Sequence, residues 1–253
     1  MMPHSQPVLF FSHGAPLTLL NAEQVAQWGR WGAAIERPKA ALILSAHWQT
    51  KEPSLGQLGR HEQLIYDFSG FPKPLYQVQY PAPGAPWLAE RLAELLGPIT
   101  QTERRLDHGA WVPLVSFWPE AQVPLLQLSL PQMGDRALFE WGQRLAPLCG
   151  EGVVLVGSGA VTHNLAQLDY SAQIAEPQAL AFDAWVAQAL VQESPEDLLD
   201  WRQKAPLAQA NHPSDEHFLP LLWAAGAAWG RKVSFPMEGF EFGNLSRRGV
   251  QWT

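Results

Sequence analysis

Short runs of Val, Ile and Leu alternate along the chain with longer segments in which apolar residues recur every three or four positions. The short runs predict β-strands, and the longer periodic segments predict helices. The predicted strands cover residues 8–11, 41–46, 77–80, 99–103, 124–129, 153–157 and 232–236. The predicted helices cover residues 23–35, 86–96, 112–118, 136–148, 177–192, 195–203 and 216–229.

This alternation predicts an α/β protein with a central, mostly parallel or mixed sheet flanked by helices. Residues 41–44 and 153–156 are almost continuously apolar, as expected for central strands buried on both faces. With 253 residues, 47% of them hydrophobic, the chain can bury one large core. No stretch of the sequence has the composition of a linker, so we expect a single domain over residues 1–253.

Charge and cysteine content exclude several classes of function. The formal net charge is −7 without a long basic run, so the Lys/Arg footprint needed for nucleic acid is missing. We find no pattern of a signal peptide or a membrane span, and expect a cytoplasmic protein that acts on small molecules. The only cysteine is Cys149, which we expect to be buried, so any metal would be held by His, Asp or Glu.

Three of the eight histidines, His13, His47 and His163, lie directly beyond a predicted strand. In open α/β sheets, ligands bind outside the carboxyl ends of the strands. One histidine in such a place is more often a hydrogen-bonded loop residue, but three of them favour a shared site. Since imidazole is the commonest metal ligand in proteins, the pattern predicts a metal centre at this edge.

A further ligand is expected from the segment HPSDEH at residues 212–217. Ser214 is predicted to cap the following helix, with Asp215 and Glu216 at its positive end. Because neighbouring helical residues point about 100° apart, only one of Asp215, Glu216 and His217 can face a given metal. The pattern alone leaves that choice open.

The other histidines are less distinctive. His108, in DHGAW, precedes a predicted helix and either donates a hydrogen bond to a substrate or caps its own loop. His212 is a ligand, a partner of a ligand or a loop residue. His61 is expected to be exposed or to lie next to the site, and His4 to have no role.

Taken together and in order, the motifs HGAP, SAHW, YDFSGFP, YPAPG, DHGAW, VGSGAVTHNL and PSDEHFLPLL resemble one family. The family is that of the DODA-type, LigB-like (class III) extradiol ring-cleavage dioxygenases, and the resemblance covers nearly the whole chain. It implies one non-haem metal held by His13, His47 and His217. It also implies that His163 is the acid/base and that His108 is a further active-site histidine.

The resemblance further implies oxygen-dependent cleavage of a catecholic, DOPA-like ring beside its two hydroxyls. One divalent ion is expected, Fe²⁺ for turnover, with Zn²⁺ possible in the isolated protein. Other LigB-like enzymes use a glutamate as third ligand, so Glu216 remains an alternative to His217. The aromatic side chains expected either to wall a pocket or to belong to the core are Trp48, Phe68, Phe71 and Trp111.

Two other functions fit the same histidines: a zinc hydrolase that activates water, and a LigB-like binding protein without catalysis. The segment GSGAVT after the strand at 153–157 is also reminiscent of a dinucleotide-binding turn. It lacks the third glycine of that motif and occurs late in the chain. Ser158 does not sit in G-x-S-x-G, so it is not a nucleophile elbow either.

Overall fold

The computed structural model of the protein describes residues 5–253; His4 lies outside them. The strands are β1 (Val8–Ser12), β2 (Ala40–Thr50), β3 (Ser54–Leu55), β4 (Thr100–Gln101), β5 (Leu125–Pro131), β6 (Val153–Gly159), β7 (Val233–Met237), β8 (Phe240–Glu241), β9 (Leu245–Ser246) and β10 (Gly249–Trp252). The helices are α1 (Ala22–Ala33), α2 (Pro86–Leu96), α3 (His108–Phe117), α4 (Asp135–Leu145), α5 (Pro147–Gly150), α6 (Pro177–Val191), α7 (Pro195–Leu199), α8 (Trp201–Lys204), α9 (Ala208–Asn211) and α10 (Leu219–Ala227). Short 3₁₀ segments occupy Pro16–Leu20, Lys73–Gln77 and Leu165–Gln167.

One mixed sheet has the strand order β4-β3-β5-β2-β6-β1-β10-β7. Its four central strands, β5, β2, β6 and β1, are parallel, whereas β10 runs antiparallel to β1 and β7 antiparallel to β10. A second, two-stranded sheet pairs β8 with β9. The predicted fold class is therefore confirmed: the sheet is mixed, with a parallel centre.

The central strands are apolar on both faces because helices cover both. On β1, Leu9 and Phe11 join a cluster with residues of α1 and α3, while Val8 and Phe10 join the opposite cluster with α4 and α10. Successive side chains of a strand point to opposite faces, so an unbroken hydrophobic run is what a doubly covered strand requires. Because β2, β6 and β1 are adjacent and parallel, their carboxyl ends lie side by side at one edge of the sheet.

Several predicted elements are wrong in detail. The strand predicted at 77–80 is the end of a 3₁₀ turn followed by a loop, because Pro74 and Pro81 on either side fix φ and lack the N–H that a sheet needs. The strand predicted at 99–103 shrinks to the two residues of β4. The predicted helix 136–148 is interrupted at Ala146 before Pro147, and the short strands β8 to β10 carry too little periodicity to be recognised.

Glycines let the layers approach closely at the functional edge. A Cβ on Gly159 would lie 2.1 Å from the carbonyl oxygen of His217, and one on Gly157 would lie 2.3 Å from that of Pro220. The segment leading into α10 thus rests directly on the backbone of β6.

Cys149 is buried as expected, and within residues 5–253 no helix has the length and apolarity to cross a membrane.

Replacing Gly159 with alanine should destabilise the protein, since the new methyl group meets backbone that cannot rotate away. Overpacking of this kind costs about 1–3 kcal/mol or more in the free energy of unfolding, measurable by urea denaturation. Gly150→Ala is the matched control, because a Cβ there has nothing within 4 Å. Equal stabilities for the two variants would contradict the close approach of β6 and the His217 segment.

Candidate metal centre

Three predicted site histidines lie at the carboxyl edge of the parallel strands. His13 follows β1, and its backbone N–H donates to the Gly159 carbonyl at 3.0 Å. His163 comes four residues after β6 and its backbone N–H donates to Asn211 at 2.9 Å. His47 lies within β2, where pairing with β5 skips from Ser45 to Gln49. This irregularity re-aims the side chain of His47, a common use of bulges beside active sites.

His217 reaches the same place from a turn, not from a helix. The helix begins only at Leu219, with Pro220 in its first turn, so the predicted helix start at 216 and the predicted capping by Ser214 are wrong. Proline is favoured in a first turn, where its missing N–H has no helical partner to lose. The carbonyl of His217 accepts from the N–H of Ala160 at 2.8 Å, which ties this turn to the end of β6.

The Nε2 atoms of His13, His47 and His217 converge. Nε2 of His47 lies 3.1 Å from that of His13 and 3.3 Å from that of His217. The other ring nitrogen of each histidine faces an oxygen. Nδ1 of His13 is 3.0 Å from Ser158 Oγ, and Nδ1 of His217 is 2.8 Å from Glu216 Oε1. Nδ1 of His47 is 3.7 Å from a carboxylate oxygen of Asp67, too far for a direct hydrogen bond.

These distances fit a metal ion. With protons on Nδ1, the Nε2 atoms present lone pairs to one another, an arrangement that a cation between them stabilises. Four nitrogens held tetrahedrally at ~2.0–2.1 Å from zinc stand about 3.3–3.4 Å apart, close to the separations of these Nε2 atoms. The partner atoms on Nδ1 are the oxygen groups that usually orient metal-bound imidazoles.

The rings of this centre are held in the neutral form that a ligand requires. Burial lowers the pKa of His13 and of His217 well below its usual range, and the neighbouring imidazoles lower both pKa values further. Burial together with the nearby ring of His108 lowers the pKa of His47 to about 3. No proton therefore competes for these nitrogens near neutral pH.

Five histidines and Glu216 supply the candidate ligand atoms of the cluster. Within the described residues, candidate ligand atoms lie in two adjoining groups, each with its atoms within 4.8 Å of one another. His13, His47 and His108 form one group, and His163, Glu216 and His217 form the other. Judged by proximity alone, His13, His47 and His108 could therefore also be the metal ligands. The contact between His47 and His217 joins the two groups.

His108 is the first residue of α3, which is capped by Asp107. Nδ1 of His108 lies 2.9 Å from Asp67 Oδ1, and the backbone N–H of His108 donates to the same oxygen at 3.0 Å. Burial opposes ionisation of Asp67, but hydrogen bonding to His108 outweighs it and lowers the pKa of Asp67 to about 2. Our sequence reasoning missed Asp67, although it is the one carboxylate in the motif YDFSGFP.

His163 has a different environment, because its ring stacks on that of His217. The ring centroids are 3.5 Å apart and the planes differ by 8°. The side chain of His163 is half-buried and lines the cavity. Burial lowers its pKa, so the ring is neutral near pH 7 and able to accept a proton. Stacking against the face of His217 places His163 beside the converging Nε2 atoms.

A cavity of about 800 Å³ opens in front of the histidines. Of the four aromatic residues expected either to wall a pocket or to belong to the core, Phe68 and Phe71 line this cavity, whereas Trp48 and Trp111 do not. Trp111 is fully buried and donates to the Ile65 carbonyl, because its position on α3 turns it into the core. The further large apolar side chains of the wall, which our sequence reasoning did not single out, include those of Leu165, Leu168, Tyr170, Phe242 and Leu245.

Two remaining histidines are structural in their contacts. His61, expected to be exposed or close to the site, is buried with Nε2 3.2 Å from the Leu125 carbonyl. His212 is buried between aromatic rings, and its Nε2 lies 2.7 Å from the Val161 carbonyl. Neither residue lines the cavity.

Known proteins match nearly the full length of the chain. The family described as the catalytic LigB subunit of aromatic ring-opening dioxygenase matches residues 1–250. The 4,5-DOPA dioxygenase extradiol of Escherichia coli K12 is 38% identical, covering 97% of this chain and 94% of its own. That of Beta vulgaris is 41% identical, covering 87% of this chain and 85% of its own.

Solved structures show the same likeness in three dimensions. The crystal structure of an uncharacterized protein from Escherichia coli K12 superposes with a TM-score of 0.82. The two sequences are 34% identical, and the match covers 98% of this chain and 100% of that one. Family match, full-length relatives and fold agree: the chain belongs to the LigB family of aromatic ring-opening dioxygenases.

Proposed function

We propose that this protein cleaves a catechol ring beside its two hydroxyls with dioxygen, at one divalent metal held by His13, His47 and His217. The observation that carries the proposal is the convergence of three Nε2 atoms whose Nδ1 atoms face oxygen groups. The relatives named 4,5-DOPA dioxygenase extradiol support a DOPA-like catechol as substrate. A bound ferrous ion would supply adjacent positions for the two catechol oxygens and for dioxygen.

His217 is preferred to Glu216 as the third ligand. Oε1 of Glu216 already lies 2.8 Å from Nδ1 of His217 and 3.1 Å from the hydroxyl of Ser214. The carboxylate thus orients the imidazole, in the arrangement that raises the basicity of a metal-bound ring. His217 is also preferred to His108 as the third ligand, because Nε2 of His217 lies 3.3 Å from Nε2 of His47 and completes the converging set.

His163 would accept the proton of a catechol hydroxyl and return it later to oxygen. Its ring is neutral near pH 7, lines the cavity and has no hydrogen bond from either ring nitrogen within the described part of the chain. A base free of such partners can exchange a proton with a substrate. His108, held against Asp67, would instead donate a hydrogen bond to the substrate or to the oxygen bound with it.

The walls of the cavity suit an aromatic substrate whose substituent carries no net negative charge, a condition that the zwitterionic side chain of DOPA also meets. Phe68, Phe71 and Tyr170 contribute rings, and the lining residues include two carboxylates, Asp67 and Glu216. Among the described residues that line the cavity there is no Lys or Arg. A neutral catechol is therefore the better first probe.

We also propose that residues 1–253 form one catalytic domain, cytoplasmic, with neither nucleic acid nor membrane as partner.

Catechol-dependent oxygen uptake is the primary test. The protein is stripped of metal, reloaded with Fe²⁺ without oxygen, and supplied with 4-methylcatechol or DOPA together with dioxygen. We expect one O₂ consumed per catechol and a coloured semialdehyde product, measured with an oxygen electrode and by absorbance. A protein loaded with Zn²⁺, which is redox-inert, is the control. Hydrolysis of esters or amides without oxygen uptake would instead establish the zinc hydrolase, and catechol binding without either reaction would establish the binding protein.

The ligand assignment predicts which substitutions release the metal. His13→Ala, His47→Ala and His217→Ala should each abolish stoichiometric metal binding, whereas Glu216→Gln should weaken it by roughly 10–100-fold. Metal content after dialysis, measured by atomic emission, distinguishes the two outcomes. Loss of metal in Glu216→Gln together with retention in His217→Ala would make Glu216 the ligand.

Substitution of His163 should separate proton transfer from metal binding. His163→Ala should keep the metal but turn over catechol about 10²–10⁴-fold more slowly, the usual contribution of a general acid–base. Oxygen uptake and metal content are measured on the same sample, with His61→Ala as a control for a buried histidine away from the cavity. Loss of metal from His163→Ala would identify His163 as a fourth ligand and end its assignment as the base.

A further inference from the structure

The segment Gly157-Ser158-Gly159 forms the carboxyl end of β6 and presents two different faces. Its two glycines face the first turn of α10 and the segment before it, where a side chain would collide with the backbone of Pro220 and His217. Ser158 points to the opposite face, toward α3 and His13. The motif that resembled a dinucleotide-binding turn therefore lies in the wall of the metal centre.

The Ser158 hydroxyl has two partners in a fully buried position. Its Oγ lies 2.5 Å from the carbonyl oxygen of Gly109 and 3.0 Å from Nδ1 of His13, and the residue is 0% exposed. A hydroxyl has one proton to donate and lone pairs to accept. A carbonyl oxygen can only accept, so the proton of Ser158 goes to Gly109.

Pro113 explains why the Gly109 carbonyl requires that proton. In an α-helix the carbonyl of residue 109 would accept from the N–H of residue 113. Proline has no N–H, and Pro113 lies inside α3. A buried carbonyl without its helical donor is costly, and the Ser158 hydroxyl satisfies it.

The hydrogen bond between Ser158 and His13 can then have only one donor. Since the Ser158 proton is committed to Gly109, the bond between Ser158 Oγ and His13 Nδ1 must be donated by the imidazole. We infer that Ser158 is a positioning residue that fixes the proton of His13 on Nδ1 and so leaves Nε2 bare toward the metal. This inference rests on the proposed role of His13 as a ligand.

Serine suits this position better than the carboxylates that face the other two ligands. Asp67 and Glu216 lie near the cavity, where both are partly exposed. Ser158 is fully buried at the end of a central strand, where an ionised carboxylate would carry a large desolvation cost. A neutral hydroxyl whose proton is already used offers an acceptor without that cost.

The test is a nitrogen NMR measurement on the full chain labelled with ¹⁵N-histidine, first freed of metal and then titrated with Zn²⁺. In the metal-free wild type, His13 should carry its proton on Nδ1. In Ser158→Ala the proton should shift toward Nε2, the tautomer that free histidine favours, and Zn²⁺ affinity should fall roughly 10–100-fold. Zinc affinity is measured by competition with a chelator of known strength.

Ser116→Ala is the matched control, because Ser116 is also a buried serine and its hydroxyl has no partner among the described residues. That variant should keep wild-type zinc affinity and the Nδ1 proton of His13. A proton on Nε2 in the wild type would overturn the inference even if Ser158→Ala fails to fold. Equal zinc affinities of folded Ser158→Ala and Ser116→Ala would also overturn it. None of these measurements uses catechol turnover, so failure of the dioxygenase proposal would be recognised separately.

Discussion

The arrangement of this site depends on the need to keep crowded, buried imidazoles uncharged. An isolated charge in the interior is expensive, and two neighbouring cationic rings would repel each other as well. The pKa values of His13, His47 and His217 are all lowered by burial first and by their neighbours second. Neutral rings with their protons turned outward leave lone pairs that point inward. The arrangement that rejects protons therefore accommodates a divalent cation.

The fold brings these rings together through close packing between backbone segments. The carboxyl ends of β1, β2 and β6 are adjacent because the sheet is parallel at its centre. The turn carrying His217 rests on one face of β6, where only glycine leaves room at position 159. On the other face of the sheet, α3 approaches β2 so closely that a Cβ on Gly109 would lie 2.7 Å from Ser45 Oγ and 2.8 Å from a ring carbon of His47. Small residues at these contacts set the spacing of the ligand nitrogens.

The two histidines outside the proposed ligand set differ in what holds them. His108 lies against the carboxylate of Asp67 at the start of a helix, a position suited to an oriented donor. His163 contacts another ring face to face, and within the described residues its nitrogens make no hydrogen bond, which suits a group that exchanges protons. Two imidazoles near one centre can thus serve different steps because their environments differ.

The hydrophobic pattern was sufficient to predict the α/β class and the central strands, because buried strands and amphipathic helices leave strong periodic signals. The positions of His13 and His163 beyond strands also followed from that pattern. His47, predicted to follow a strand as well, instead lies inside β2, where the pairing with β5 is irregular. The roles of His217 and His108 came from the ordered motifs and not from spacing. Only the tertiary structure decided three features of the site. The residues before Leu219 form a turn, so His217 is not constrained by helical geometry. The carboxylate of Asp67 lies beside two histidines, and the hydroxyl of Ser158 lies between Gly109 and His13. Such contacts depend on packing between segments far apart in the chain, and local sequence patterns carry no record of that packing.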